Sequence, residues 1–322
     1  MNNEQGEPGE ASRSPDSKFE QALLKRMSFE FLREQRRARR WNVFFKLLAF
    51  AYVSIFIVLS LPRDSLDMSF GDDKVTALVD LQGVIAHGSE ASADLIVSGL
   101  RKAFKHEKTA GVILRINSPG GSPVQSGYIN DEIYRLKEKY PEIPFYAVIE
   151  DLCASGGYYV AAAADEIYAD KASLVGSIGV RMGGFGFVDA IEKLGVERRV
   201  LTAGKNKGFL DPFEPLEEEH VAHVETMLKQ IHEQFVNTVL KGRRDRLVDD
   251  PEIFSGLVWT GEKSLELGLI DAFGSSGYVA REIIGAKEIV DFTPKDYSFD
   301  ALLKRGGTSL MARLLREQPF SW

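Results

Sequence analysis

Two glycine-rich turns carry residue types that can run acyl-transfer chemistry. Asn117-Ser118-Pro119-Gly120-Gly121 follows the apolar run GVILRI (111–116), and Cys153-Ala154-Ser155-Gly156-Gly157-Tyr158-Tyr159 follows FYAVIEDL (145–152). Paired glycines permit positive φ and let backbone approach a ligand closely. At the head of a helix they also offer free N–H groups to an anion. Two such turns on neighbouring parallel strands would aim N–H groups at one oxygen, the arrangement that stabilises an oxyanion. Ser155 opens the second turn. It is either an ordinary helix N-cap or a nucleophile at the positive end of the helix dipole.

A serine nucleophile needs a base. No histidine sits in a comparable turn. His87 is in a loop, His106 ends an amphipathic segment, and His220, His223 and His232 fall on a charge-rich helix. The i,i+3 spacing of His220 and His223 would suit a metal, but no third ligand lies nearby and a solvated face is the simpler reading. A lysine serves if its pKa falls from about 10.4 through burial. Leu201–Leu210 sets Lys205 and Lys207 in a small, apolar stretch, and the residues alone leave both open. The single cysteine, Cys153, excludes an intrachain disulfide and a cysteine-built zinc site.

These turns need strands and helices to hold them. Extended segments are expected at 75–81, 111–116, 145–149, 166–169, 174–180 and 197–202. Helices are expected at 93–106, 124–139, 156–164, 188–194, 216–240 and 261–267. Alternation at this pitch predicts an α/β fold with a mainly parallel sheet. No internal repeat is evident, and residues 73–295 suffice for one core.

The chain has 322 residues, of which 44% are hydrophobic and 27% charged, with a net charge of -7. That balance disfavours a general nucleic-acid binder. The charge is unevenly spread, at +2 over residues 1–40 and -10 beyond Lys46. Arg33, Arg36, Arg37, Arg39 and Arg40 abut VFFKLLAFAYVSIFIVLSL (43–61), a run close to the ~20 residues that span a bilayer. The arginines predict an uncleaved transmembrane signal anchor with residues 1–42 cytoplasmic and the body outside the cytoplasm. In a Gram-negative cell this means the inner membrane and the periplasm. Residues 1–17 have a disordered composition, and 296–322 form a leucine- and arginine-bearing tail.

With these residues in place, the chain resembles the signal peptide peptidase A and SohB proteins, the S49 serine peptidases, in their short single-repeat bacterial form. The resemblance runs from about Val75 to Ala286 through NSPGG (117–121), ASGGYY (154–159), LVGSIGV (174–180), GKNK (204–207) and WTGEKSLELGLID (259–271). It implies a ClpP/crotonase-like fold of repeated ββα-type units and a Ser–Lys dyad without metal or cofactor. Residue by residue, it implies Ser155 as nucleophile, Lys207 rather than Lys205 as base, and Ser177 as the residue that orients the lysine. The oxyanion hole would be the N–H groups of Gly121 and Gly156. Implied partners are hydrophobic peptides such as signal-peptide remnants, and a homo-oligomer in which some members complete the dyad across a subunit boundary. The rival readings are a crotonase-like acyl-CoA enzyme, which would need neither the serine, the lysine nor the anchor, and a catalytically inactive membrane scaffold.

Overall fold

In the computed structural model, which describes residues 41–54 and 74–294, the centre of the sheet is made from runs with almost no polar alternation. β1 (Val75–Gln82), β2 (Thr109–Ser118) and β3 (Phe145–Ala154) are parallel neighbours. Val79, Leu81, Val112, Leu114, Ala147 and Ile149 are buried on one face, and Leu78, Ile113 and Val148 on the other. Parallel strands covered on both faces require such sequence. The crossovers α1 (Ala93–Lys105) and α2 (Pro123–Lys139) close the first face. Ile96, Leu100 and Phe104 of α1, and Ile129, Ile133 and Leu136 of α2, recur at helical spacing and are buried. Ser122 starts α2 by accepting a hydrogen bond from Gln125 N–H at 3.3 Å, and Pro123 occupies the first helical position, where no donor is lost.

The chain continues through α3 (Gly156–Ala161), β4 (Glu166–Ala169), β5 (Leu174–Gly176), α4 (Val188–Lys193), α5 (Glu218–Arg243), β6 (Val258–Thr260), α6 (Gly261–Glu266), β7 (Ala272–Phe273) and β8 (Ile289–Asp291). The eight-stranded sheet runs β6-β5-β3-β2-β1-β8, with β4 paired to β3 and β7 to β4. Among the described strands only β5 and β6 pair antiparallel. β3 forks: Tyr146–Val148 pair with β4, and Leu152–Ala154 pair with β5. The second pairing extends β3 past Ile149, where its apolar run ends, as far as Ala154.

Several expected boundaries shift. The strand expected at 197–202 does not form, because that segment is exposed and has no strand beside it. β5 ends at Gly176 rather than at residue 180, α3 at Ala161 rather than 164, and α5 runs over 218–243 rather than 216–240. β6, β7 and β8 were not expected, and each exists through pairing with residues distant in sequence.

The chain divides into two units, residues 1–71 and 72–322. In the first, residues 41–54 are helical, with Trp41 in ring contact with Phe44 and Phe45 at 5.7 Å and Leu47, Phe50 and Tyr52 exposed. Among the described residues no helix is long and apolar enough to cross a membrane. Residues 55–61 of the expected anchor lie outside the described residues, as do the leading segment before 41 and the tail.

α5 is fastened to the sheet at one end only. Its buried residues are Phe235, Val239 and Arg243. Arg243 is fully buried. It donates to Gly268 O from Nε at 2.9 Å and to the Asp271 carboxylate at 2.7 and 3.0 Å. Asp271 also accepts from Ile167 N–H at 2.7 Å. Burial works against ionisation of Asp271, but the hydrogen bonds and charge of Arg243 outweigh it and hold its pKa below the ordinary 3.8. Removing one partner strands the other charge, so Asp271→Asn is expected to cost about 3 kcal/mol in urea unfolding at pH 7. A carboxylate with a depressed pKa contributes stability that is complete above its unfolded pKa and lost as pH falls through the folded one. The gap between wild type and Asp271→Asn therefore narrows below about pH 4.

Candidate active site

β2, β3 and β5 end side by side, at the carboxyl edge where open parallel sheets gather their ligands. The register pairs Ser118 with Cys153 and Ala154 with Gly176. One step further, Ser155 stands beside Ser177, and Ser155 N–H donates to Gly176 O at 2.8 Å. Both serines are partly exposed and both have positive φ, 53° for Ser155 and 51° for Ser177. Positive φ in a residue with a Cβ costs on the order of 1–3 kcal/mol and persists only where the surroundings enforce it. Ser155 occupies a strand-to-helix turn, a geometry that pushes the hydroxyl out from the sheet edge. The angle alone does not mark chemistry, because Arg244 adopts nearly the same backbone at the end of α5.

The Ser155 hydroxyl, like that of the buried Ser92 before α1, makes no helix-cap bond. Ser122, Thr260 and Ser275 each accept a hydrogen bond from the backbone of the helix they precede. Ser155 precedes α3 and makes no such bond, and among the described residues its Oγ has no hydrogen-bond partner. The N-cap role is therefore left unfilled. Cys153, two residues earlier, points into the core, and burial pushes its thiol pKa up. It stays protonated and cannot attack.

The two glycine turns interlock. Gly120 has φ +90°, and a Cβ there would lie 2.5 Å from Gly156 N and 2.8 Å from Ser155 Cβ. A Cβ on Gly156 would meet Ser126 Oγ at 2.5 Å and Gly121 N at 3.2 Å. The N–H groups of Gly121 and Gly156 thus flank one small space beside Ser155. Ile85 N–H donates to Gly120 O and Ser122 N–H to Ile85 O, which clamps the first turn without using the Gly121 N–H. Ser118 Oγ donates to Gly83 O at 2.6 Å and accepts from Gly120 N–H at 3.1 Å. Sequence reasoning missed Ser118 and Ser126 as supports. Their only signal was a small polar residue next to a glycine turn or one helical turn beyond it. Tyr158 is fully buried, with its hydroxyl donating to Leu269 O at 2.7 Å.

The lysines lie elsewhere. Residues 205–210 form consecutive turns, and Lys207 is exposed. Lys205 pairs with Glu219 at 3.0 Å. Neither lysine is hydrogen-bonded to Ser155 or Ser177. α5 measures the separation. Its start holds the lysine loop through Phe209, whose ring meets His220 at 5.2 Å and His223 at 5.8 Å. Further along, His232 Nε2 donates to Ile178 O at 3.2 Å, and Phe235 packs on Tyr159 at 5.1 Å. The nine residues from His223 to His232 correspond to about 14 Å of helix. The structure brings Ser155, Ser177, Gly121 and Gly156 together, and it anchors the Lys207 loop to α5 about two and a half turns before the Ile178 contact. His220 and His223 face a phenylalanine ring rather than solvent alone.

Comparison with known proteins identifies the family. Peptidase family S49 matches residues 137–289. A putative signal peptide peptidase SppA of Enterococcus faecium is 29% identical over 246 residues, covering 74% of this chain and 71% of that protein. A putative protease of Synechocystis sp. is 32% identical over 202 residues, covering 63% of this chain and 70% of that one. A Brucella abortus protein named Na(+)/H(+) antiporter NhaA is 45% identical over 188 residues. Those residues are 58% of this chain but 25% of that protein, so the chain spans about a quarter of this relative and its name carries no transport function across. The family match takes in Ser155, Gly156, Ser177 and Lys207, and on these similarities the chain belongs to peptidase family S49.

Proposed function

We propose that the chain is a membrane-anchored serine endopeptidase with a ClpP/crotonase-like core and a Ser155–Lys207 dyad, acting on hydrophobic peptides such as signal-peptide remnants. The observation that carries this reading is the Ser155 hydroxyl. It heads α3 in a positive-φ turn and has no hydrogen-bond partner among the described residues, and its residue adjoins the contact that brings Gly121 N and Gly156 N together. In the proposed reaction a neutral Lys207 amine takes the Ser155 proton as Oγ attacks the peptide carbonyl. The two N–H groups hold the oxyanion, and the Lys207 ammonium returns its proton to the leaving amine. Water, deprotonated by Lys207, then attacks the acyl-enzyme, and Ser155 is restored. Ser177, one register step from Ser155, is the group proposed to hold the lysine Nζ by a hydrogen bond. No cofactor enters these steps.

Lys207 is exposed and its loop is docked along α5 away from Ser155, which supports a homo-oligomer in which one copy's lysine serves its neighbour's serine. Met182, Phe185, Leu194 and Leu201 are all exposed in the segment between β5 and the lysine loop. So much apolar surface suits a second copy, a hydrophobic substrate, or both. The apolar run 43–61 and the arginines before it support a single-pass inner-membrane anchor with the peptidase unit on the extracytoplasmic side.

Ser155→Ala and Lys207→Ala should each lower hydrolysis of an apolar peptide by ~10³-fold or more while unfolding curves stay intact. A fluorophosphonate probe should label the wild type and not Ser155→Ala. Absence of labelling across a pH series, together with no peptide cleavage, would favour the inactive scaffold. Co-purified mixtures of the two variants should recover activity if the dyad forms between copies. The full-length protein should stay with membranes through an alkaline carbonate wash, and its release would remove the anchor. Gly156→Ala presses a methyl group on the Ser126 hydroxyl and should cost about 1–3 kcal/mol. Adding Ser126→Ala should return part of that loss, read as non-additivity in urea unfolding.

A further inference from the structure

The stretch just before Lys207 is open to solvent, and the contacts that fix the loop lie to either side of it. Residues 201–207 are all exposed. Within it the tie is the Lys205–Glu219 pair at 3.0 Å, and an ion pair that open to water holds weakly. Downstream, Phe209 lies between His220 and His223, successive residues on one face of α5, with ring planes at 76° and 80° to its own. Edge-to-face rings 5–6 Å apart are a directional contact, since the rim of one ring meets the negative face of the other. Phe187 then stacks on Phe213 at 5.5 Å, the Arg198 guanidinium lies over Phe213 at 5.0 Å, and Arg198 pairs with Asp211. Between these anchors the backbone is tightly coiled. Lys207 N–H donates to Gly204 O, Phe209 N–H to Asn206 O and Asp211 N–H to Gly208 O, each at 3.1 Å. In a chain coiled this tightly, fixing the Phe209 ring fixes the Lys207 Cα two residues away.

We propose that Phe209, clasped by His220 and His223, is the fixture that aims Lys207, and that these three are positioning residues for the base. The inference rests on the reading of Lys207 as the base and deepens it. The clasp works through geometry. A general base must sit within hydrogen-bond reach of the proton it removes, and a misplacement of about 1 Å costs on the order of 10²-fold in rate. The residues touch neither Ser155 nor the glycine turns, so they act on the proton-transfer step and leave peptide binding alone.

The test uses the full-length protein and an apolar fluorogenic peptide. Phe209→Ala should lower kcat about 10²-fold with KM unchanged, and Phe209→Tyr, which keeps the ring, should recover most of it. His223→Leu, an exposed position that folding tolerates, should lower kcat about tenfold and serves if Phe209→Ala does not fold. In co-purified mixtures of Ser155→Ala and Lys207→Ala copies, Phe209→Ala should abolish recovery when placed on the lysine-bearing copy and not on the serine-bearing one. An unchanged kcat in the single variants overturns the proposal, as does equal loss from either copy. If the copies do not complement, the kcat and KM values of the single variants decide. A fully active Lys207→Ala protein would instead overturn the dyad itself, and that result is separable from the others.

Discussion

Gly120 places a hydrogen where any other residue would place a carbon 2.5 Å from Gly156 N. The site depends on that missing atom. Because the first glycine turn lies directly on the second, two backbone N–H groups from different strands sit side by side without side chains to hold them. A methyl at Gly120 would push on Ala154 O and Ser155 Cβ as well, so the close approach of the two turns and the placement of the serine are one constraint. The sheet supplies the rest. Ser155 N–H to Gly176 O fixes the serine against β5, and that bond exists because β3 abandons β4 halfway along and takes β5 as its new neighbour.

The strands at the centre were legible because burial on both faces leaves a run such as GVILRI with no alternative use. The glycine turns were legible for a related reason, since Gly-Gly after a buried strand and before a helix is costly unless backbone must come close. The end of β3 was not legible. Glu150 and Asp151 look like the start of a loop, and pairing of Leu152–Ala154 with β5 and of Cys153 with Ser118 keeps the strand extended beyond them. β6, β7 and β8 are two or three residues each, too short to carry a period, and are defined by partners far away in sequence. The segment 197–202 fails in the opposite sense. Its composition suits a strand, but nothing lies beside it to complete a ladder.

The two residues closest to being nucleophiles show how position overrides type. Cysteine is the better nucleophile in solution, yet Cys153 sits inside β3 with its side chain in the core, where burial keeps the thiol protonated. Ser155 is the weaker nucleophile but lies past the last pairing, where the chain turns and the side chain leaves the sheet. Between the lysines, the sequence could offer only the resemblance. The structure adds a physical difference, in that the Lys205 ammonium faces Glu219 while Lys207 projects from the same turn toward solvent.

That projection follows from how α5 is built. A 26-residue helix is about 39 Å long. Its buried residues all lie in the last nine, where Arg243 and Asp271 weld it to the sheet. An amphipathic helix of this length gains its stability from the packed face, so the first four turns extend outward with support mainly from what they themselves carry. They carry the lysine loop. The stiffness of the helix and the aromatic grip at its start therefore serve one end, which is to hold a charged loop at a defined distance from the sheet rather than letting it collapse onto the edge. Within one copy this geometry anchors the lysine loop about 14 Å along α5 from the Ile178 contact. In the proposed homo-oligomer the same stiffness would be useful, because an arm with exposed apolar residues beside it would reach a neighbour's carboxyl edge without either core rearranging. A short, fully packed α5 would bury the same loop against its own sheet and lose that reach.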